Sequence, residues 1–144
     1  WTKKVEINSN ESKLVLVLDK SQLPKGDDKK TCYLNLILKE NEQIVSTKNG
    51  YFLPMKALKI PCPKLTQQIT VDENKNNIVV KINSENFAKS IHVVSNGSEN
   101  FSDNFFDLPS NGEKTITMGT TKTDDLSSLI SSIQLFSLWN TLEK

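Results

Sequence analysis

The sequence predicts an all-β chain of the immunoglobulin-like β-sandwich class, one complete domain preceded by a partial one. Three observations carry this. Short runs alternate apolar and polar residues with period two, the repeat of a half-buried strand. Clusters of Gly, Pro, Asn, Asp and Ser punctuate them, about every ten residues in the second half. The chain has 144 residues, 36% hydrophobic and 24% charged, so it has the composition of an ordinary globular protein of one domain or two small ones.

The elements follow in order. "KKVEINS" alternates Val5 and Ile7, and "KLVLVLD" is a continuous apolar run suited to a strand buried on both faces. "TCYLNLILKE" puts Cys32, Leu34, Leu36 and Leu38 on one face, expected to be the core face, with Cys32 acting as a small hydrophobe. "QIVSTKNGYFL" carries Asn49-Gly50 between two short runs, readable as a hairpin turn or as a bulge. Three prolines then fall within "LPMKALKIPCPKL". Proline cannot donate to a ladder and fixes its own φ, so this is an extended connector.

The expected organisation is therefore residues 1–58 as the C-terminal part of a penultimate sandwich domain, 59–63 as a proline-rich linker and 64–144 as the terminal sandwich. Beyond the linker come "LTQQITV", "NNIVVKIN", "AKSIHVVS", the stretch from Phe101, "KTITMGT" and "ISSIQLFSLW" as strand candidates. "DDLSSLISSI" fits either a helical turn, with Leu126, Leu129 and Ile130 at helical spacing, or a loop into the last strand. Residues 1–58 supply fewer strands than the roughly seven of a sandwich. They look like part of a domain cut from a longer protein, with an unpaired edge expected to meet another copy or the second domain.

Charge excludes some partners. The formal net charge is +1, and all 18 basic residues are lysine. Residues 1–58 hold 10 Lys against 7 acids and residues 59–144 hold 8 against 10, so neither half carries a field of one sign. Without that field, and without arginine forks, neither nucleic acid nor a membrane surface is an expected partner. No apolar run approaches the ~20 residues of a membrane span.

Candidate chemistry is sparse. His92, the one histidine, lies in the strand-like "SIHVV" with no nucleophile motif around it. Cys32 and Cys62 are too few for a metal site, and their placements argue against a disulfide between them. There is no Gly-rich phosphate loop and no Gly-x-Ser-x-Gly elbow. Asp103 and Asp107 share parity, but in an extended strand they would stand ~13 Å apart, too wide for a retaining pair of carboxylates. The same stretch puts phenylalanines where a calcium loop needs ligands. No catalytic, cofactor-binding or metal-ligating residue is assigned, and no cofactor is expected.

The stretch "NFSDNFFDLPSNGEKTITM" has a simpler structural reading. Phe101 and Phe105 share one face, Phe106 and Leu108 the other, and all four are expected in the core. Ser102, Asp103 and Asn104 bond nearby backbone, and Pro109 to Gly112 turn the chain. A glycan-binding surface would have to draw on Trp1, Tyr33, Tyr51 and Trp139, for each of which the core is the commoner fate. Asn10-Glu11-Ser12, Asn96-Gly97-Ser98 and Asn100-Phe101-Ser102 fit the N-glycosylation pattern, which an Asn- and Ser-rich chain also meets by chance.

The order of "NGYFLPMKALKIPCPKL", "FAKSIHVVSNGSENFSDNFFDLPSNGEKTITM" and "SIQLFSLWN" resembles the C-terminal end of β-mannosidases of glycoside hydrolase family 2. In that family an Ig-like domain after the catalytic barrel ends in Tyr/Phe-Phe-x-x-x-Lys-x-Leu, and Tyr51 to Leu58 are similar. A last Ig-like domain carries Phe-Ser-Asp-Asn-Tyr/Phe-Phe-Asp-Leu. Phe101, Ser102, Asp103, Asn104, Phe105, Phe106, Asp107 and Leu108 match it at every position, while "LPSNGE" replaces a tighter Leu-Pro-Gly-Glu corner. The resemblance implies a parent that hydrolyses terminal β-mannosides with retention, using two glutamates of an upstream barrel. This chain would then be a non-catalytic accessory region whose partners are the barrel and N-terminal domains of the same parent, with an extracytoplasmic location if the parent is bacterial. A glycan-binding sandwich module and a generic Ig-like interaction domain are the alternative readings.

Overall fold

The computed structural model describes residues 1–72, 77–96, 100–120 and 125–142. It is an all-β, Ig-like structure with antiparallel sheets and little helix. The chain divides into two compact units, Trp1–Leu58 and Lys59–Lys144.

In the first unit, strands β1 (Tyr33–Glu40) and β2 (Gln43–Tyr51) pair as a single antiparallel hairpin. Asn41 and Glu42 both take positive φ, 48° and 65°, the twist a two-residue hairpin turn demands. Asn49-Gly50 lies inside β2 and is no turn, and the irregularity in the ladder falls between Leu38 and Lys39. Leu36 and Leu38 are 50% and 59% exposed, and Cys32 is exposed as well, so the face expected to be core is open. Among the described residues 1–19 there is no strand where "KKVEINS" and "KLVLVLD" were expected. A turn closed by the Glu11 N–H on the Asn8 carbonyl (3.1 Å) folds this segment back, and Lys3 Nζ donates to the Val15 carbonyl (2.8 Å). No ladder forms, and Leu14 is 81% exposed. The reason is physical: alternation states which face could be buried, but burial needs a second layer, and a lone hairpin supplies none.

The second unit has that layer. Strands β3 (Leu65–Val71), β4 (Asn77–Ser84) and β7 (Gly112–Gly119) form one antiparallel sheet in the order β3-β4-β7. Strands β5 (Ala88–Val94), β6 (Phe106–Leu108) and β8 (Gln134–Phe136) form the other, ordered β6-β5-β8. The period-two pattern aims Ile78, Val80 and Ile82 of β4 and Ile116 and Met118 of β7 inward. They meet Ala88, Ile91 and Val93 of β5, Phe106 and Leu108 of β6, and Ile133 in one core. Each fully buried Ile, Val or Met side chain there contributes about 1.5–3 kcal/mol.

Polar groups close the ends of this core. Where β4 stops, the buried Ser84 Oγ lies 3.0 Å from the Pro63 carbonyl and 2.5 Å from that of Asn86, so its proton is shared out at a chain crossing. "DDLSSLISSI" resolves as helix α1 (Leu126–Ser132), capped by Asp125, whose carboxylate accepts the Ser127 and Ser128 N–H groups. Leu126, Leu129 and Ile130 pack on the core. At the corner before β7 the Gly112 N–H donates to the Pro109 carbonyl (2.9 Å) and the Asn111 N–H to that of Glu85 (3.1 Å). A Cβ on Gly112 would lie 2.7 Å from Pro109, which leaves no room for a side chain.

The contrast between the units gives a measurable expectation. Ile91→Ala, in the closed core, should cost about 2–5 kcal/mol in urea unfolding followed by Trp139 fluorescence. Ile37→Ala, on the open hairpin, should stay within about 0.5 kcal/mol.

Candidate functional site

The stretch from Phe101 to Leu108 holds the densest set of polar groups with defined partners, and each of them holds backbone. β6 pairs with β5 through Ile91 and Phe106, and the same register would place residue 104 opposite Val93. Asn104 fills that place with its side chain. Its Oδ1 accepts the Val93 N–H (2.8 Å) and its Nδ2 donates to the Val93 carbonyl (2.9 Å). The carboxamide thus replaces a strand residue's own amide, and the ladder continues one pair beyond the end of β6.

Asp107 acts likewise at the irregularity in β5. Ser90 has a φ of 51°, which takes its N–H out of the regular ladder, and Asp107 Oδ1 accepts it at 2.9 Å. Lys89 Nζ closes on the same carboxylate at 2.8 and 3.1 Å. Asp103 pairs with Lys114 and accepts the Asn104 N–H (2.7 Å). The Lys114 hydrogen bond holds the Asp103 carboxyl below the usual carboxylate range, partial burial opposing it. Lys114 Nζ also lies 4.4 Å from the Phe106 ring centroid, a cation–π contact. Ser102 Oγ accepts the Thr117 N–H (3.0 Å), and the Ser102 N–H donates to the Thr117 carbonyl (2.8 Å). Two carboxylates expected to be too widely spaced are therefore each paired with a different lysine.

The aromatics depart from expectation at one residue. Phe106 and Leu108 are buried and Phe101 packs on the core, but Phe105 is 65% exposed. Its φ of 58° is the cause, since a positive φ breaks the alternation on which strand parity depends. The Phe105 ring stacks on His92, centroids 4.4 Å apart and planes 15° from parallel. His92 in turn stands opposite Phe136, also exposed, across the β5–β8 ladder. Phe105, His92 and Phe136 thus form an outward aromatic row that sequence reasoning missed. The outward parity of His92 between Ile91 and Val93 was the signal that could have found it.

The other candidates do not converge. Trp1 is exposed, and Tyr33 and Tyr51 face one another with centroids 6.3 Å apart, all in the first unit; Trp139 is half-buried in the second. Cys32 and Cys62 are exposed free thiols. Among the described residues no three His, Cys, Asp or Glu side chains gather as metal ligands. An open hollow of about 580 Å³ at one end of the β3-β4-β7 sheet is lined by Lys64, Thr66, Asn83, Glu85, Asn111 and Gly112 among others. The Lys64–Glu85 pair (2.6 Å) stands at it and raises the Lys64 pKa. Of the glycosylation patterns, Asn10 and Asn100 are exposed, while Gly97 and Ser98 of the third lie outside the described residues.

Two expectations follow from these bonds. Asn104→Ala leaves the Val93 N–H and carbonyl without their partner and should cost roughly 2–4 kcal/mol, with the Val93 amide exchanging faster by NMR. Asp103 contributes stability above the ordinary carboxylate pKa of ~4 and loses it as pH falls through its depressed value. Asp103→Asn should remove that part of the acid limb, by no more than about 1 kcal/mol because the pair is solvent-screened.

Comparison with known families agrees with this structure. Residues 60–141 match the model of the mannosidase Ig-fold domain. Residues 1–57 match that of the mannosidase Ig/CBM-like domain. No curated protein was found to match the chain. The first match covers more than half of the residues, and with the Phe101–Leu108 motif bound into its sandwich the chain belongs to the Ig-fold domain family of mannosidases, as an Ig-like region of the glycoside hydrolase family 2 type.

Proposed function

We propose that this chain is a non-catalytic accessory region of a β-mannosidase-like glycoside hydrolase whose parent cleaves terminal β-mannosides with retention. Its role in this reading is to pack against the catalytic barrel and N-terminal domains and stabilise them. One observation carries the reading: Ser102, Asp103, Asn104 and Asp107, the polar residues of the most distinctive motif, all hold backbone or close ion pairs. A group committed to a fold's own amides is not available to a substrate. The open hairpin of residues 33–51 supports the packing role, because its apolar face has no layer of its own. In this reading residues 1–58 are the last part of a penultimate sandwich and residues 64–144 the terminal one.

The chain alone should show no turnover of an aryl β-mannoside. The parent enzyme lacking residues 1–144 should lose thermal stability, and adding the chain back in trans should restore part of it. Measurable turnover by the isolated chain would falsify the accessory reading.

A glycan-binding role is the second reading, and the observation that favours it is the Phe105–His92–Phe136 row, since sugar rings stack on exposed aromatic faces. Phe105→Ala should weaken retention on immobilised mannan if that row binds, and leave it unchanged if it does not.

A further inference from the structure

The second unit has four edge strands, and three are protected against pairing with other chains. β6 and β8 are only three residues long. β7 carries Glu113 and Lys114, and its edge is covered by the Phe101–Met118 bridge and the Ser102–Thr117 bond. These are the ordinary devices that blunt a sheet edge: shortness, charge and cover.

β3 has none of them. It is seven residues long, Leu65-Thr66-Gln67-Gln68-Ile69-Thr70-Val71, with no charge and no proline. Among the described residues it makes no backbone–backbone hydrogen bond outside its ladder with β4; only the Gln67 side chain reaches elsewhere among the described residues, its Nε2 donating to the Ile133 carbonyl (3.2 Å) on the inner side. Among the described residues its outer edge therefore presents N–H and carbonyl groups with no backbone partner.

The sequence of β3 also fits itself. Antiparallel pairing of two copies about a two-fold axis at Gln68 sets Gln68 against Gln68, Thr66 against Thr70, Gln67 against Ile69 and Leu65 against Val71. Thr–Thr neighbours are favourable cross-strand pairs, and no like charges meet anywhere along the strand. Leu65, Ile69 and Val71 pack at the margin of the core and remain half-buried, so a second copy would cover them and extend the inner face.

We infer that β3 is a homodimerisation edge, joining two β3-β4-β7 sheets into one six-stranded antiparallel sheet about a two-fold axis at Gln68. Such an isologous contact is closed, so it makes dimers and no filament. The inference is independent of the accessory role: a monomeric chain would leave that role standing, and a catalytic chain would leave the dimer standing.

Sedimentation velocity of the full 144-residue chain tests it. The wild-type chain should reach twice the monomer mass as concentration rises. Gln68→Lys and Gln68→Glu each set like charges against one another at the axis and should raise the dimer Kd roughly 3–10-fold at low salt. An equimolar mixture of the two should recover the dimer, because the charges are then opposite. Gln68 is exposed, so both variants should keep the wild-type circular dichroism. A wild-type chain still monomeric at about 1 mM overturns the inference. So does a dimer indifferent to both Gln68 substitutions but dissolved by Leu36→Lys, which would move the contact to the hairpin.

Discussion

The second unit depends on a single constraint: β5 must stay in register with a partner that is only three residues long. β6 supplies two paired positions, Ala88 with Leu108 and Ile91 with Phe106, separated by a shift. Side chains supply the rest. The Asn104 carboxamide takes both hydrogen bonds of Val93, and the Asp107 carboxylate takes the Ser90 N–H. These bonds fix which face of β5 carries Ile91 and Val93, and so decide where the sandwich core forms. A one-residue slip would send that face to solvent. The motif Phe-Ser-Asp-Asn-Phe-Phe-Asp-Leu is thus a set of substitutes for backbone, and its specificity as a sequence reflects how few residue types can do each task.

The two units also show what alternation can and cannot say. In β4 the pattern of Ile78, Val80 and Ile82 was legible because a second sheet faces it. In β1 the same kind of pattern, Leu34, Leu36 and Leu38, meets no facing layer among the described residues of its unit: Leu36 and Leu38 stay open and Leu34 is only half-buried. Cys32 followed its neighbours in that misreading. "KLVLVLD" failed for the same reason: a run suited to burial on both faces formed no ladder when neither face was covered. The hairpin turn was missed because Asn41-Glu42 is weak turn chemistry, whereas Asn49-Gly50 is strong turn chemistry that the strand absorbs.

Within the motif the failure was narrower. Phe101, Phe106 and Leu108 reach the core as expected, although Phe101 does so from a bridge to Met118 of the other sheet, and Phe105 does not, because parity presumes extended backbone on both sides of a residue. The positive φ at Phe105 falls between the Asn104 side chain, bound to Val93, and the start of β6 at Phe106. The aromatic row with His92 and Phe136 is the by-product on the outer face. Such a site is hidden from sequence because it rests on a backbone dihedral and on a cross-strand neighbour 44 positions away.

The corner from Pro109 to Gly112 sets what the chain can carry at the entry to β7. It is longer here than the tight corner it resembles, and the additional residues lie on solvent, held by one bond from Asn111 to the end of β4. The exit of the corner is sterically closed, because Gly112 lies against Pro109 with no space for a methyl group. A side chain at position 112 would therefore require Pro109 to move or be replaced, while Asn111, at a φ of 55°, sits in the left-handed region that suits Asn or Gly.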